Sequence, residues 1–192
     1  ETIETTLHGP DSRRQLLVTG RYSSGQLHDL STKVAYTVAP AGILTVNGEG
    51  FVTPVGEGKA TITARLQTGQ TVAAEFTVDQ FGEEKSINFA NQIVPIFTKL
   101  GCNTGACHGK SGGQNGFRMS LLGFYPEEDY EFLVKENQGR RIFPSSPEFS
   151  LLLTKPTNVL AHGGGKRIDM DSFEARLLIR WIEQGMPFGS ED

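Results

Sequence analysis

The feature that most constrains this chain is a nine-residue segment, 101–109, which reads Gly-Cys-Asn-Thr-Gly-Ala-Cys-His-Gly. It contains both cysteines of the protein and one of its four histidines. Four residues separate Cys102 from Cys107, and His108 follows directly. A pair of thiols followed by an imidazole is typical of a cofactor or metal site. The remaining residues are therefore best interpreted as support for whatever this segment binds.

Covalent attachment of a haem requires this combination of side chains. Two thiols form thioethers with the vinyl groups, and the adjacent imidazole binds the iron. The usual motif has two residues between the cysteines, so the longer insert here must loop outward, which Gly105 makes easier. The segment predicts one covalent haem c, with Cys102 and Cys107 as its attachment sites and His108 as the proximal iron ligand.

Other chemistry is open to the same three residues. The cysteines could form a disulfide or a redox pair, or they could join His108 in a zinc site. Structural zinc usually has four protein ligands, and the sequence has no second cysteine pair or histidine pair at finger spacing.

Charge and length limit the classes of function. The formal net charge of −4 and a pI near 5.6 argue against nucleic acid or an anionic membrane surface as the main partner. No apolar run approaches the roughly 20 residues that span a bilayer. The 192 residues suffice for two domains with modest cores. The chain starts at Glu1 in mid-pattern with no visible signal peptide, so we expect a processed or excised piece. If a haem is attached covalently, an export signal should precede this piece in its gene.

The first eighty residues predict strands. Apolar residues alternate with polar ones over 60–66 and again over 72–78, on either side of a Gln-Thr-Gly-Gln turn, which predicts a hairpin with one buried face. Shorter runs at 15–19, 33–38 and 43–46 are separated by Gly, Ser, Asp and Pro, as in a small antiparallel sandwich.

This region resembles the bacterial immunoglobulin-like domain family of group 2. The motifs that carry the resemblance are 20–25, 29–31 and, most specifically, 50–64, and the match covers about 16–78. The resemblance implies an all-β immunoglobulin-like sandwich over 1–80 that serves as a spacer or adhesion module in exported proteins and has no catalytic residues.

A polar linker is predicted at 81–87, after which the hydrophobic period becomes helical. Helices are expected from Phe89 to the motif, around 126–134, and last over a stripe capped by Asp171 or Ser172. That stripe consists of Phe173, Leu177, Leu178, Trp181 and Ile182. A helix leading into the cysteine motif and a helix closing the chain resemble the plan of class I cytochromes c.

The resemblance narrows to the planctomycete cytochrome c domain. It rests on segments that occur in the same order, namely 101–110, 116–124, 140–141, 150–156, 162–165 and 181–185. It implies a mainly α, class I cytochrome c-like domain over 88–192. Such domains occur beside immunoglobulin-like modules in large exported proteins.

The second axial ligand has three candidates. His162 leads, because three glycines follow it and allow the backbone to approach a flat cofactor, and because class I cytochromes carry their distal ligand on the loop before the last helix. Met170 is the alternative, and Met119 is a weaker one. Among the cations that flank this region, Arg141 and Arg167 are the candidates for the haem propionates.

The predicted function is electron transfer by one covalently attached haem in an exported, periplasmic or cell-surface protein, with a redox partner protein or neighbouring domains as partners. Substrate chemistry is not expected from a site with two axial protein ligands. Two alternatives stay open. The iron could have an open or labile sixth position that binds small ligands or reduces peroxide, or the chain could be a surface adhesion module with a disulfide and no haem.

Overall fold

The computed structural model describes residues 4–83 and 85–189. The chain divides into two compact units, Glu1–Lys85 and Ser86–Asp192. The boundary lies inside the segment 81–87, where polar residues and Gly82 favour a linker. No helix in the described ranges is long and apolar enough to cross a membrane.

The first unit consists of short strands in three small sheets. One sheet has the order β1-β9-β8-β5, the second β2-β7-β6, and the third pairs β3 with β4. Within the four-stranded sheet, β1 runs parallel to β9, and the other neighbours are antiparallel. The strand bounds are β1 Glu4–His8, β2 Arg14–Gln15, β3 Thr19–Arg21, β4 Leu27–Asp29, β5 Ala35–Ala39, β6 Leu44–Val46, β7 Phe51–Pro54, β8 Gly58–Arg65 and β9 Thr71–Asp79.

The predicted hairpin is confirmed as the pair β8 and β9. Their antiparallel register places Ala60 opposite Phe76 and Ala64 opposite Val72. Ala60, Ile62 and Ala64 are buried while the residues between them are partly exposed, so alternation of polarity defines one inward face. This face joins the core of the first unit, which includes Leu7, Leu44, Val52, Phe76 and Val78.

The second unit contains short helical segments joined by turns. Four are α-helices, and π-helical or 3₁₀ turns precede or follow them. The α-helices are α1 Val94–Lys99, α2 Pro126–Tyr130, α3 Leu151–Thr154 and α4 Phe173–Glu183. The π-helical turns are Phe89–Ile93 and Glu131–Lys135, and the 3₁₀ turns are Leu121–Gly123, Glu136–Gly139 and Pro147–Phe149.

Helix α4 forms as its sequence predicts. The Ser172 hydroxyl accepts a hydrogen bond from Ala175 N and caps the helix, and Gly185 follows its end with a φ of 79°. Four of the five predicted stripe residues are buried, and Phe173 packs at their margin. The stripe places Trp181 against Phe89, with ring centres 5.4 Å apart.

The predicted fold class is wrong for the chain as a whole. The chain is mixed α and β, with about a quarter of its residues in helices and a quarter in strands. The strands form three small sheets rather than an immunoglobulin-like sandwich, because alternation marks a strand but does not choose its partner. The second half is not a mainly α cytochrome c-like domain either. Glycines and prolines interrupt its helical patterns, and among the described residues only α4 is longer than six residues.

Replacing Trp181 with alanine should destabilise the protein strongly. The indole is completely buried, and its Nε1 donates to Pro187 O at 2.9 Å. The loss of packing and the cavity should lower the free energy of unfolding by about 3–5 kcal/mol, measured by urea unfolding followed by circular dichroism. The control is Phe149→Ala, which removes a side chain of similar size that is 67% exposed and should change stability by less than about 0.5 kcal/mol. Equal effects would contradict the assigned core.

Candidate functional site

The cysteine segment is a closed loop that begins where α1 ends. Cys102 N donates to Phe97 O at 2.8 Å, which ties the first cysteine to the last turn of α1. His108 N then donates to Cys102 O at 2.9 Å, and Cys107 N donates to Thr104 O at 3.0 Å. The four-residue insert therefore turns back on itself, and Cys102 and His108 meet at the base of the loop.

Two glycines and one asparagine fix this loop. A Cβ at Gly109 would lie 2.0 Å from Asn103 O, so only glycine fits. Asn103 is completely buried, and its Nδ2 donates to Thr98 Oγ1 at 2.8 Å. At Gly123, with φ at 75°, a Cβ would lie 2.3 Å from a Val94 methyl. The sequence did not identify Asn103 as important, although its place inside the motif was a signal.

Both cysteines are free thiols. Cys102 packs against the apolar core of its unit, and this burial raises the pKa of its thiol to about 11, while the nearby charge of Arg167 opposes the shift. The electrostatic contribution of Cys107 also raises the pKa of the Cys102 thiol. The Cys102 thiol is therefore uncharged at neutral pH, and the two cysteines are not bonded to each other.

His108 has a defined orientation. Its Nδ1 donates to Phe117 O at 3.0 Å, and its ring packs against the Phe117 ring with centres 4.7 Å apart. Since the acceptor is a carbonyl, the proton is on Nδ1 and Nε2 is left as the metal-binding nitrogen. Burial lowers the pKa of His108, with smaller contributions from His162 and Arg141, so the neutral, ligating form predominates at pH 7.

His162 is held in the same way on a separate loop. Its Nδ1 donates to Gly165 O at 2.9 Å, which again leaves Nε2 as the remaining nitrogen. The rings of His108 and His162 are nearly parallel, with an interplanar angle of 8° and centres 6.4 Å apart. The structure therefore brings together two of the histidines that the sequence singled out.

The distance between the ring centres is close to that of two imidazoles that bind one metal from opposite sides. Two metal–nitrogen bonds of about 2 Å, with about 1.1 Å from each nitrogen to its ring centre, separate the centres by roughly 6.2 Å. Elsewhere the donor set is sparse: among residues 4–83 and 85–189, no group of three or more His, Cys, Asp or Glu could hold a metal ion. Cys102, Cys107 and His108 thus do not form such a group in the described part of the chain, and a haem iron takes only two ligands from the protein.

The other predicted site residues are two arginines, Arg141 and Arg167, and two methionines, Met119 and Met170. Arg167 is exposed, and its Nε donates to Gly164 O at 2.8 Å, so it lies beside the His162 loop and acts electrostatically on Cys102. Met170 is 40% exposed, and Met119 is buried in the core, with its backbone N donating to His108 O at 2.8 Å. Arg141 is buried and donates to backbone carbonyls.

A buried carboxylate that the sequence did not single out supports the segment beyond the loop. Asp129 is completely buried, accepts from Ser120 N, and accepts from Ser120 Oγ at 2.7 Å. Ser120 Oγ in turn accepts from Tyr125 N at 2.9 Å. These bonds close the turn that contains Leu122, whose N donates to Asn103 O at 3.0 Å. In the sequence, Asp129 was visible only as one of the acidic residues in the first turn of α2.

Asp129 should make the stability of the protein depend on pH. Burial raises the pKa of its carboxyl, against the two hydrogen bonds from Ser120. Between the ordinary aspartate pKa of about 3.9 and this higher value, the folded state binds more protons than the unfolded state, so the free energy of unfolding falls as pH rises. Urea unfolding at several pH values should show this fall in the wild type and in Glu127→Gln, and not in Asp129→Asn. Parallel pH curves for all three proteins would contradict the assignment.

Comparison with protein-family models and with curated proteins finds no match to this chain.

Proposed function

We propose that this chain binds one haem covalently through Cys102 and Cys107, with His108 and His162 as its axial iron ligands, and that it transfers electrons. The single observation that carries the proposal is the pair of nearly parallel imidazoles, 6.4 Å apart. Each of them is oriented by a backbone carbonyl at Nδ1. Two free thiols in the loop that carries His108 support covalent attachment.

The haem supplies an iron that changes oxidation state by one electron. The residues of this chain position it and tune it. Cys102 and Cys107 would attach it, and His108 and His162 would bind its iron, which would favour electron transfer over substrate binding at the metal. Arg167, exposed beside the His162 loop, is our candidate for pairing with a propionate.

Two histidine ligands would also shift the reduction potential of the iron. A second imidazole in place of a thioether favours the ferric state and lowers the potential. We further infer that the protein is exported, since thioether attachment takes place outside the cytoplasm, and that the first unit acts as a spacer. The electron partner is then a redox protein or a neighbouring domain of a longer chain.

Mass spectrometry tests the attachment. The chain is produced with an export signal in a host that matures c-type cytochromes, purified, denatured and weighed. We expect a mass increase of one haem that survives denaturation, and a low-spin absorption spectrum for the folded protein. A protein without visible absorption, whose thiols are free or joined to each other, would refute the proposal.

Carbon monoxide and imidazole titrations distinguish electron transfer from the alternative of an open sixth position. With His162 on the iron, the reduced protein should bind carbon monoxide slowly or not at all. Rapid and stoichiometric binding would instead support small-ligand binding or peroxide reduction.

A further inference from the structure

Arg141 carries a positive charge at an almost completely buried position. It is 6% exposed, and its guanidinium donates to three backbone carbonyls. Nη1 donates to Phe132 O at 2.9 Å and to Glu136 O at 3.3 Å, and Nη2 donates to Gly116 O. Burying a guanidinium is costly unless its donors are satisfied, so this arrangement stabilises one specific conformation of the backbone that it contacts.

That backbone is the segment that orients His108. Gly116 O accepts from Arg141, and the next residue, Phe117, accepts from His108 Nδ1 through its own carbonyl. The Arg141 guanidinium also lies over the Phe117 ring, 4.7 Å from its centre, and the same ring packs against the His108 imidazole. One arginine therefore holds Phe117 by the preceding peptide and by its aromatic ring.

The charge of Arg141 is only partly compensated. Its nearest carboxylate is Glu136, at 3.8 Å from Nη2, and Glu136 is shared with Arg118 at 3.5 Å. In water this shared contact would be weak, but at a buried position the positive charge is screened little. A positive charge near a metal disfavours the more oxidised, more positive state of that metal.

We propose that Arg141 is the positioning residue for His108. Its guanidinium fixes the Gly116–Phe117 backbone, so that the Phe117 carbonyl keeps the His108 imidazole in one orientation with Nε2 available to the iron, and its charge raises the reduction potential. This inference rests on the proposed haem. It assigns Arg141 to the proximal imidazole, a role that the sequence, which predicted a propionate contact, did not reveal.

Three variants of the full chain test the proposal. Arg141→Met removes the charge and all carbonyl contacts, and Arg141→Lys keeps the charge but loses the forked geometry. The matched control is Arg118→Met, because Arg118 contacts the same Glu136 and lies 3.9 Å over the Phe132 ring. The readouts are the reduction potential and the ¹⁵N NMR signals of the histidine rings, which report whether the proton stays on Nδ1.

The expected results separate positioning from general destabilisation. Arg141→Met should lower the reduction potential of the haem-containing protein and give a mixture of His108 tautomers in the haem-free chain. Arg141→Lys should show a smaller change in the same direction, and Arg118→Met should resemble the wild type. If Arg141→Met does not fold, the comparison of Arg141→Lys with Arg118→Met decides. Identical potentials and identical His108 signals in these two variants would overturn the inference.

Failure of the proposed function is detected separately. If the wild type attaches no haem, the mass measurement shows it, and the proposal of electron transfer fails. The tautomer of His108 can still be measured in the haem-free chain. There, an undisturbed Nδ1 proton in both Arg141 variants would overturn the positioning role independently of any cofactor.

Discussion

Replacing both Cys102 and Cys107 with serine should abolish covalent attachment of the haem. Serine hydroxyls do not form thioethers with vinyl groups, so the mass of the denatured protein should equal that of the polypeptide alone. The single variants Cys102→Ser and Cys107→Ser should each retain one attachment point and a lower yield of haem-containing protein. The measurement is the intact mass after denaturation, with the visible spectrum of the folded protein as a second readout.

The control for the cysteine variants is Met119→Leu. Met119 lies in the same unit, its backbone contacts His108, and its side chain fills the core, so a volume-conserving change should leave attachment intact. A haem that remains attached after denaturation of the double serine variant would show that other residues carry it.

Replacing His162 with alanine should convert the iron from low spin to high spin. Loss of this imidazole leaves His108 as the only axial protein ligand, and the vacated position becomes accessible to carbon monoxide and added imidazole. Absorption and electron paramagnetic resonance spectra of the oxidised protein report the change, and added imidazole should restore the low-spin spectrum.

Met170→Ala is the matched control for His162→Ala. Both residues lie between α3 and α4, and Met170 was the alternative ligand. Its substitution should leave the spin state unchanged, because it is His162 whose ring lies parallel to that of His108. A thioether-to-iron charge-transfer band in the oxidised wild type, lost in Met170→Ala, would overturn the assignment of His162.

The elements that the sequence predicted well are those with strong periodicity. The β8–β9 hairpin and α4 each repeat one pattern over eight or more residues, and a single turn or cap defines their ends. The fold class was not predictable in this way. The parallel pairing of β1 with β9, and the turns that divide the helical patterns of the second unit, depend on contacts between distant residues.

In the candidate site, too, the local features were predictable from the sequence and the long-range contacts were not. The motif at 102–108 and the glycines after His162 indicated both histidines, because their chemistry is local in sequence. The partners that orient them were not visible, since Phe117 and Gly165 act through backbone carbonyls that every residue has. Arg141 was singled out for its charge, but only the structure shows that its guanidinium contacts Gly116 O.

The parallel alignment of β1 with β9 has a mechanical consequence for the first unit. The start of β1 and the end of β9 lie at opposite ends of this strand pair, because two adjacent parallel strands point the same way. A pull on both ends of the unit would therefore slide these strands along each other and load their hydrogen bonds together rather than one after another. A unit built in this way should resist stretching.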